Sequence, residues 1–308
     1  YVRMEEALRE ELGCGDVRSL GAGGSGCISS ADVYLCDGRK VFVKKNSKPE
    51  ARIMFDGESA GLSAIHETQT IKVPKPLKVF DHNGCCYLAM EHYDMRSLHQ
   101  QAENFGAKLA KLHLSNKVKI VKSLKSSGFV GKREEGVRSF GFEVYTCCGI
   151  IAMPNDWSSN WLEFYARNRL KAQLDLVEKN YQDREALELW PQVERNLHKL
   201  IPVGLEITPA LLHGDLWSGN TAEVDGEPCV YDPACLYGHH EFDLSIARMF
   251  GGLPRKVFAA YHGVIPQDKG FEDRQKLYQL FHYLNHWNHF GGGYRGQSIA
   301  IMKQLAKL

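Results

Sequence analysis

In the first part of the chain, apolar residues recur mostly at every second position, which is the period of a strand with one buried face. The alternation predicts strands at residues 17–20, 40–45, 77–80 and 85–90. Two stretches show helical spacing instead. They predict an amphipathic helix over Met4–Leu12 and a second helix over residues 50–65, whose apolar face carries Glu58.

From residue 97 onwards the helical period dominates. It predicts helices at residues 97–116, 161–179, 184–200, 241–250 and 278–290. Pro191 should kink or split the third of these, because proline lacks the N–H that a helix interior uses. Residues 117–139 are rich in lysine and arginine, and we expect a solvated loop there.

Composition excludes several classes of function. The 308 residues include 38 Lys and Arg against 37 Asp and Glu, so the net charge is +1. A chain with this balance lacks the excess of basic residues that is typical of nucleic-acid binders, and it lacks the positive charge that anionic membranes attract. No apolar run approaches the roughly 20 residues of a membrane span. The nine cysteines show no Cys-x2-Cys pair or framework spacing. We therefore expect a soluble cytoplasmic protein with reduced thiols, no nucleic acid partner and no membrane partner.

The strongest chemical signal is the stretch of residues 211–220, LLHGDLWSGN, followed by Asp232. An apolar run leads into Asp215, and Asn220 follows five residues later. Phosphoryl transfer to an alcohol needs one carboxylate to orient the hydroxyl, and an amide and a second carboxylate to hold Mg²⁺. Asp215, Asn220 and Asp232 have the order and spacing of a kinase catalytic loop. The alternative is an ordinary turn, because Gly, Asp and Asn favour turns.

A glycine-rich segment follows the first predicted strand, and its N–H groups could cover the phosphates of a nucleotide. It contains Gly23, Gly24, Ser25, Gly26 and Cys27. The segment is not a Walker A motif, because no Gly-Lys-Ser/Thr follows it. A flexible hairpin tip is the alternative.

Lys44 has the position of the phosphate-binding lysine in an apolar-x-apolar-Lys strand. Strand parity does not distinguish it from Lys45, and only the motif position favours it. A glutamate on an apolar helix face is costly unless it is paired, which makes Glu58 the natural partner of Lys44. Farther on, Glu91, His92 and Tyr93 follow the last predicted strand, where a hinge would offer backbone hydrogen bonds to adenine.

Two features of the helical part have more than one interpretation. Asp243 could brace the backbone of the catalytic loop, or it could be an acid favoured by a helix N-terminus. His282, His286 and His289 share one face of a predicted helix. Packing, a polar wall for a substrate and a zinc site remain open for these histidines, although no acidic partner stands at a helical offset.

Several of these segments together resemble the fructosamine-3-kinase family. They are residues 26–29 (GCIS), 41–44 (VFVK), 213–220 (HGDLWSGN), 231–234 (YDPA) and 285–290 (NHWNHF). Residues 261–263 (YHG) and 291–296 (GGGYRG) resemble the ketosamine-3-kinase branch of that family. The resemblance extends from Met4 to the C-terminus. It implies an α+β, bilobal, protein-kinase-like fold similar to that of aminoglycoside phosphotransferases. Residues 1–92 would form an N-lobe with a five-stranded antiparallel sheet and a helix, and residues 93–308 a mainly helical C-lobe with the catalytic loop and the ketosamine site.

The resemblance also implies a reaction. Enzymes of this family transfer the γ-phosphate of ATP, with Mg²⁺, to the 3-hydroxyl of ketosamines such as ribulosamine, psicosamine and fructosamine, on glycated proteins or small amines. A phosphate at C3 lies β to C1 across the C2 ketone, so enolisation expels it and hydrolysis frees the amine. The outcome is deglycation. A kinase of the aminoglycoside or choline type, and a catalytically inactive nucleotide-binding scaffold, are the competing interpretations.

Residue roles follow by position in the resemblance. Asp215 is the base, and Asn220 and Asp232 bind Mg²⁺. Lys44, paired with Glu58, holds the phosphates. Trp217 forms a platform for the sugar, with His286 nearby as a polar contact. Cys27 is a redox-sensitive thiol, which implies either a monomer or a redox-dependent homodimer.

Overall fold

The structure is a computed structural model that describes residues 3–25, 29–125 and 135–308. Its first part is a five-stranded antiparallel sheet of order β1-β2-β3-β5-β4. The elements are α1 (Met4–Leu12), β1 (Val17–Ser25), β2 (Ser30–Cys36), β3 (Arg39–Asn46), α2 (Ala51–Thr68), β4 (Pro76–His82) and β5 (Cys85–Glu91). All four strands expected from alternation are present, and β2 is a strand that the pattern did not predict.

The two faces of β3 explain how this sheet positions Lys44. Val41 and Val43 point to the side where α1 packs and share a hydrophobic cluster with Leu8. The next residues along the strand alternate to the opposite face. Phe42 and Lys44 therefore lie on the side of α2, where Phe42 packs against the cluster that α2 contributes to. Lys44 is buried there, whereas Lys45 is exposed.

The second part of the chain is mainly helical. Its helices are α3 (Ala102–Lys125), α4 (Trp161–Tyr165), α5 (Ala172–Tyr181), α6 (Arg184–Leu200), α7 (Glu241–Ala247), α8 (Arg255–Val264), α9 (Phe271–Phe290) and α10 (Arg295–Ala306), with a π-helical segment, Ala166–Lys171, between α4 and α5. The short strands are β6 (Arg96–Ser97), β7 (Thr146–Cys148), β8 (Ile151–Met153), β9 (Ala210–Leu212), β10 (Thr221–Val224), β11 (Glu227–Val230) and β12 (Leu236–Gly238). Two of them, β9 and β12, pair with each other. The catalytic loop, residues 213–220, connects β9 to β10.

Three local predictions were wrong. Helix α3 begins at Ala102 rather than at residue 97, because Ser97 pairs with Ala222 of β10 in a small sheet. The same helix continues to Lys125, so residues 117–125 are helical rather than a loop, and residues 126–134 lie outside the described residues. Helix α6 runs through Pro191 as one continuous helix, so the predicted split at this residue is wrong, whereas the predicted kink stays a prediction. Its buried face, with Trp190 and Val193, packs in the main hydrophobic cluster, and this packing outweighs one missing hydrogen bond.

Two further observations, on helix length and on the cysteines, hold for the described part of the chain. None of its helices is both long and apolar enough to cross a lipid bilayer. The eight cysteines that the structure describes are all free thiols, and most of them are buried.

Candidate active site

The catalytic loop leaves the buried strand β9 and turns back towards the segment that follows Asp232. Gly214 allows this turn because its φ is +83°, and a Cβ there would lie 2.0 Å from the carbonyl oxygen of Ala234. The backbone N–H of Ala234 donates to the carbonyl of His213 at 2.8 Å. The two segments that carry Asp215 and Asp232 are therefore held against each other.

Asp243, from α7, holds the start of the loop. Its carboxylate accepts hydrogen bonds from the backbone N–H groups of His213 and Gly214, at 2.7 and 2.8 Å, and contacts Nε2 of His113 at 3.1 Å. Burial alone would raise the pKa of Asp243, but the bond to His113 and the neighbouring donors hold it below its ordinary value. The predicted bracing role of Asp243 is confirmed, and His113 is a buried histidine that contacts both Asp243 and Tyr261.

Asp215 and Asn220 form a pair at the end of the loop. The side-chain Nδ2 of Asn220 donates to the backbone oxygen of Asp215 at 2.8 Å and to its Oδ2 at 3.2 Å. Burial and the negative charge of Asp232 raise the pKa of Asp215 to about 7, although hydrogen bonds from Asn220 and the thiol of Cys148 oppose the shift. A carboxyl that titrates near neutrality is suited to general-base work.

Lys44 connects the sheet to the second acidic segment. Its Nζ lies 2.6 Å from Oε1 of Glu58 and 2.5 Å from Oδ1 of Asp232. Burial lowers the pKa of Lys44, but the charges of Asp232 and Glu58 raise it above its ordinary value, so the ammonium stays charged. The ion pair between Lys44 and Glu58 that the sequence predicts is present. Asp232 itself has a φ of +54°, a left-handed conformation that is uncommon for residues other than glycine.

Asn220 and Asp232 offer a donor set that fits Mg²⁺, which binds carboxylate and amide oxygens. Because Nδ2 of Asn220 faces Asp215, its side-chain oxygen is the atom left for a cation. The carboxylates of Asp215 and Asp232 repel each other strongly enough to contribute to the raised pKa of Asp215. A cation between them would relieve this repulsion, so the residues present fit the metal.

A cavity of about 680 Å³ lies between the sheet and the helical part. The residues lining it include Gly23, Phe42, Lys44, Met90, Glu91, His92, Tyr93 and Asp232. Oε2 of Glu91 accepts from Tyr93 Oη at 2.8 Å and from the N–H of Lys75 at 3.2 Å, so this side chain stabilises the hinge itself. Of the expected glycine-rich segment, Gly24 and Ser25 belong to β1, whereas Gly26 and Cys27 lie outside the described residues.

A second cavity, of about 460 Å³, contains Asp215 and meets the first at Lys44 and Asp232. Trp217 and Gly219 line it, and the indole of Trp217 is 39% exposed. A Cβ on Gly219 would lie 2.2 to 2.6 Å from three carbons of that indole, so the ring rests directly on the glycine. The wall also contains Met54, Cys147 and Gly149, which sequence reasoning did not identify. No motif indicates them, since they come from separate elements.

The three histidines of α9 have different surroundings. His282 is fully buried beside Phe242, and burial lowers its pKa to about 3. The ring of His286 stacks on Phe250 with 4.5 Å between centroids. Nε2 of His289 faces the N–H of Ile150 at 3.0 Å. Among the residues that the structure describes, no group of three or more His, Cys, Asp or Glu side chains is arranged to hold a metal. His286 is not part of the wall of either cavity, and its expected contact with a substrate stays a prediction.

Comparison with known proteins agrees with this geometry. The family model of fructosamine kinases matches residues 3–307. The chain is 54% identical to ketosamine-3-kinase of Mus musculus over 310 residues, which is 99% of this chain and 100% of that protein. A candidate fructosamine-3-kinase from Thermobifida fusca superposes with a TM-score of 0.79 at 29% identity, over 99% of this chain and 98% of that one.

A more distant structure shows the fold alone. The aminoglycoside phosphotransferase APH(4)-Ia, solved in a ternary complex with AMP-PNP and hygromycin B, superposes with a TM-score of 0.57 at 14% identity, over 99% of this chain and 98% of that one. The predicted α+β fold, with its five-stranded antiparallel sheet and helical second lobe, is confirmed. The exact lobe boundary at residues 92 and 93 stays a prediction.

Proposed function

The chain belongs to the fructosamine kinase family, and we propose that it transfers the γ-phosphate of ATP to the 3-hydroxyl of ketosamines on proteins or small amines. One observation carries this proposal. Asp215, whose pKa is near 7, lies in a cavity that meets the hinge-lined cavity at Lys44 and Asp232. A nucleotide in the first cavity would present its terminal phosphate to an acceptor in the second. Positioning of this kind is the main requirement of phosphoryl transfer.

Asp215 would act on the acceptor hydroxyl. As a carboxylate it accepts a hydrogen bond from the 3-hydroxyl, directs the oxygen towards the phosphate and takes the proton as the new O–P bond forms. The bond between the γ-phosphorus and the β–γ bridging oxygen of ATP breaks in the same step, and ADP leaves. Asn220 supports this role, because its Nδ2 holds one carboxylate oxygen and the loop backbone in place. The loop is in turn held by Asp243, so the base does not have to be ordered when the substrate arrives.

The nucleotide side of the reaction would use Lys44, Asp232 and Asn220. The buried ammonium of Lys44, held by Glu58, is placed to neutralise phosphate oxygens. Asp232 and Asn220 would hold Mg²⁺, which neutralises the charge that develops on the transferred phosphoryl group. Glu91, His92 and Tyr93 would bind the adenine through the hinge backbone, and Gly23 to Cys27 would cover the phosphates.

The wall of the second cavity favours a neutral sugar over the competing acceptors. Apart from Glu58, Asp215 and Asp232, to which we assign catalytic roles, none of the described residues that line it is an acid that would attract a polycationic aminoglycoside. Its aromatic rings are Trp217 and Tyr231, fewer than a cation cage for choline would use. Trp217 is instead suited to stack on a sugar ring, and we assign His286 as a polar contact at the edge of this site.

The product determines the biological outcome. A phosphate at C3 of the ketosamine is lost by β-elimination, and the released amine is unmodified, so the reaction repairs glycated proteins. We extend the proposal to ribulosamine, psicosamine and fructosamine as sugars. The free cysteines support a reducing compartment, and we propose the cytoplasm.

The decisive experiment follows ATP turnover by ³¹P NMR with each ketosamine, and with kanamycin and choline in parallel. We expect a sugar 3-phosphate signal with ketosamines, none with the other two acceptors, and none with the Asp215→Asn variant. Turnover of kanamycin or choline alone would overturn the proposal. Nucleotide binding without turnover of any acceptor would favour the inactive scaffold.

A further inference from the structure

Four aromatic rings form a partly exposed group at the C-terminal end of α9. This aromatic surface consists of Phe250, His286, Phe290 and Tyr294. Ring centroids lie 4.5 Å apart for Phe250 and His286, 5.6 Å for His286 and Phe290, and 5.1 Å for His286 and Tyr294. Phe250 is 42% exposed and Phe290 is 62% exposed. Adjoining exposed apolar side chains of this kind mark interaction sites more often than scattered ones do.

The backbone at Phe250 is a second, independent observation. Phe250 has a φ of +52°, and the next two residues, Gly251 and Gly252, have φ values of +91° and +65°. A bulky residue in the left-handed region is an outlier, and strain of this kind concentrates at binding and catalytic sites. In this conformation the phenyl ring stacks on His286 and remains partly exposed.

The aromatic surface is continuous with the cavity that holds Asp215. Phe290 contacts the ring of His289, with 5.7 Å between centroids. His289 in turn meets the N–H of Ile150, and a Cβ on the neighbouring Gly149 would lie 2.3 Å from its Nε2. Gly149 lines the cavity of Asp215. A substrate that extends out of this cavity past Gly149 therefore reaches the aromatic surface next.

The charge state of the aromatic surface restricts the class of ligand that it would bind. Burial lowers the pKa of both His286 and His289, so these imidazoles are neutral at neutral pH. The surface therefore offers four uncharged rings and no cation of its own. Aromatic faces attract ammonium groups and pack against aliphatic stems. A ketosamine on a lysine has both features, because its nitrogen is a secondary ammonium and four methylenes connect it to the polypeptide.

We propose that the aromatic surface binds the lysine side chain and the flanking polypeptide of a protein-borne ketosamine, while the sugar occupies the cavity of Asp215. This proposal rests on the proposed function, and it assigns the selection of protein substrates to Phe250, Phe290 and Tyr294. The sugar site alone would serve small ketosamines. The additional surface would favour a ketosamine that is attached to a peptide.

The test compares two acceptors with the same sugar. One is the ribulosamine of methylamine, and the other is the ribulosamine of a lysine within a short peptide. We expect Phe290→Ala and Phe250→Ala to lower kcat/KM for the peptide by about tenfold, as for aromatic anchors at interfaces, with less than about twofold change for the methylamine adduct. Phe290→Tyr keeps the ring and should retain the preference of the wild type.

A control variant separates an effect of the aromatic surface from a general effect of removing an exposed apolar side chain. Leu124→Ala removes an exposed apolar side chain from α3 and should leave both acceptors unchanged. If Phe250→Ala does not fold, the highly exposed Phe290 decides the test. An unchanged ratio of kcat/KM between the two acceptors, or equal losses of kcat/KM on both, would overturn the proposal. The proposal would also be overturned if sedimentation showed that Phe290→Ala disrupts a dimer while this ratio is unchanged. Failure of the wild type on both acceptors would instead overturn the proposed function.

Discussion

The carboxylate of Asp243 accepts a hydrogen bond from the backbone N–H of His213 at 2.7 Å, across a separation of 30 residues. A second bond, from the N–H of Gly214, uses the other carboxylate oxygen. These two donors lie at the start of the loop that ends in Asp215. The position of the proposed base is therefore determined by a buried helix, α7, as well as by its own loop.

The first prediction concerns Asp243→Asn. An amide keeps the shape but loses the charge, so the bonds from the loop and from His113 weaken or are left without a partner. We expect a loss of about 1–3 kcal/mol in the free energy of unfolding, which is typical of a buried bond to a charged group. We also expect kcat to fall on the order of 10²-fold, the effect of a small misplacement of a catalytic group. Thermal melts and steady-state kinetics measure the two effects.

The exposed Asp273 of α9 provides the matched control for Asp243. Asp273→Asn should change neither the melting temperature nor kcat. If Asp243→Asn melts at a lower temperature but keeps a wild-type kcat, the carboxylate stabilises the fold without positioning the base.

The second prediction concerns Gly219→Ala. The added methyl must displace the indole of Trp217, since the ring carbons lie within 2.6 Å of the Cβ position. We expect KM for the ketosamine to rise about tenfold, with KM for ATP unchanged, because a displaced ring removes uniform binding of the sugar. Trp217→Ala should have the same effect, and the double variant should be no worse than Trp217→Ala.

Gly263→Ala is the control for this substitution, because the position on α8 has open space around it. Additive losses in the double variant would show that Gly219 acts through the loop backbone rather than through Trp217. Equal increases of KM for both substrates would show that the indole is structural.

The third prediction concerns Asp215→Asn and catalysis. The variant should lose at least 10²-fold in kcat, which is the usual contribution of a general base. Its affinity for ATP should stay within about threefold of the wild type, because the nucleotide contacts assigned above do not include Asp215. Calorimetric titration with a non-hydrolysable ATP analogue measures this affinity. Retention of more than about a tenth of the wild-type rate would remove Asp215 from its role.

The fourth prediction concerns the dependence of stability on pH. In the folded protein the pKa of Asp215 is about 7, against 3.8 for the ordinary carboxyl. A raised pKa means that the fold favours the protonated form, so this contribution to stability is complete below pH 3.8 and is lost as the pH rises through 7. Asp215→Asn should therefore melt at least about 2 °C above the wild type at pH 8, a shift equivalent to roughly 1 kcal/mol. At pH 5 the difference in melting temperature between Asp215→Asn and the wild type should be much smaller.

These melts are measured without nucleotide or Mg²⁺, so that no cation compensates the repulsion between Asp215 and Asp232. A gap that is the same at pH 5 and pH 8 would show that Asp215 has an ordinary pKa. The same titration predicts that kcat/KM of the wild type falls as the pH decreases through about 7.

The predictable parts of this site are those whose chemistry is local in sequence. Asp215 and Asn220 are five residues apart in one loop, and the motif contains both. Lys44 was identified by its position in the strand motif, and Glu58 because an acid on an apolar helix face needs a partner. The bracing role of Asp243 could be proposed because α7 follows soon after the loop.

The features that the sequence did not reveal depend on pairings between distant elements. Ser97 leaves the predicted helix because Ala222 offers a strand partner, and no local pattern contains that information. Gly149 reaches His289 across 140 positions of sequence, so the connection between the acceptor cavity and the aromatic surface is a property of tertiary packing. The strained backbone of Phe250 is likewise visible only in the fold.

The fifth prediction concerns Cys27, which lies outside the described residues and stays a hypothesis from the sequence. From the sequence position alone, we expect a thiol at the end of a glycine-rich phosphate loop to have cationic neighbours, and such neighbours favour the reactive thiolate. The described cysteines provide the contrast. Burial raises the pKa of Cys36 and Cys147 to about 11 and that of Cys86 and Cys229 to about 12, and it also raises the pKa of Cys148 and Cys235. These six thiols are poor targets for oxidants, which leaves Cys27 and the partly exposed Cys14 and Cys85, and of these three we expect peroxide to act first at Cys27.

We expect peroxide to abolish most of the activity of the wild type, to produce a Cys27–Cys27 dimer on a non-reducing gel, and to be reversed by dithiothreitol. Cys27→Ala should keep its activity under the same treatment and stay monomeric. Cys14→Ala is the matched control, because Cys14 is partly exposed and lies at the end of α1. It should respond to peroxide as the wild type does. If Cys27→Ala is inhibited and shifts on the gel like the wild type, while Cys14→Ala is protected, the sensitive thiol is Cys14, and regulation does not act through the phosphate loop.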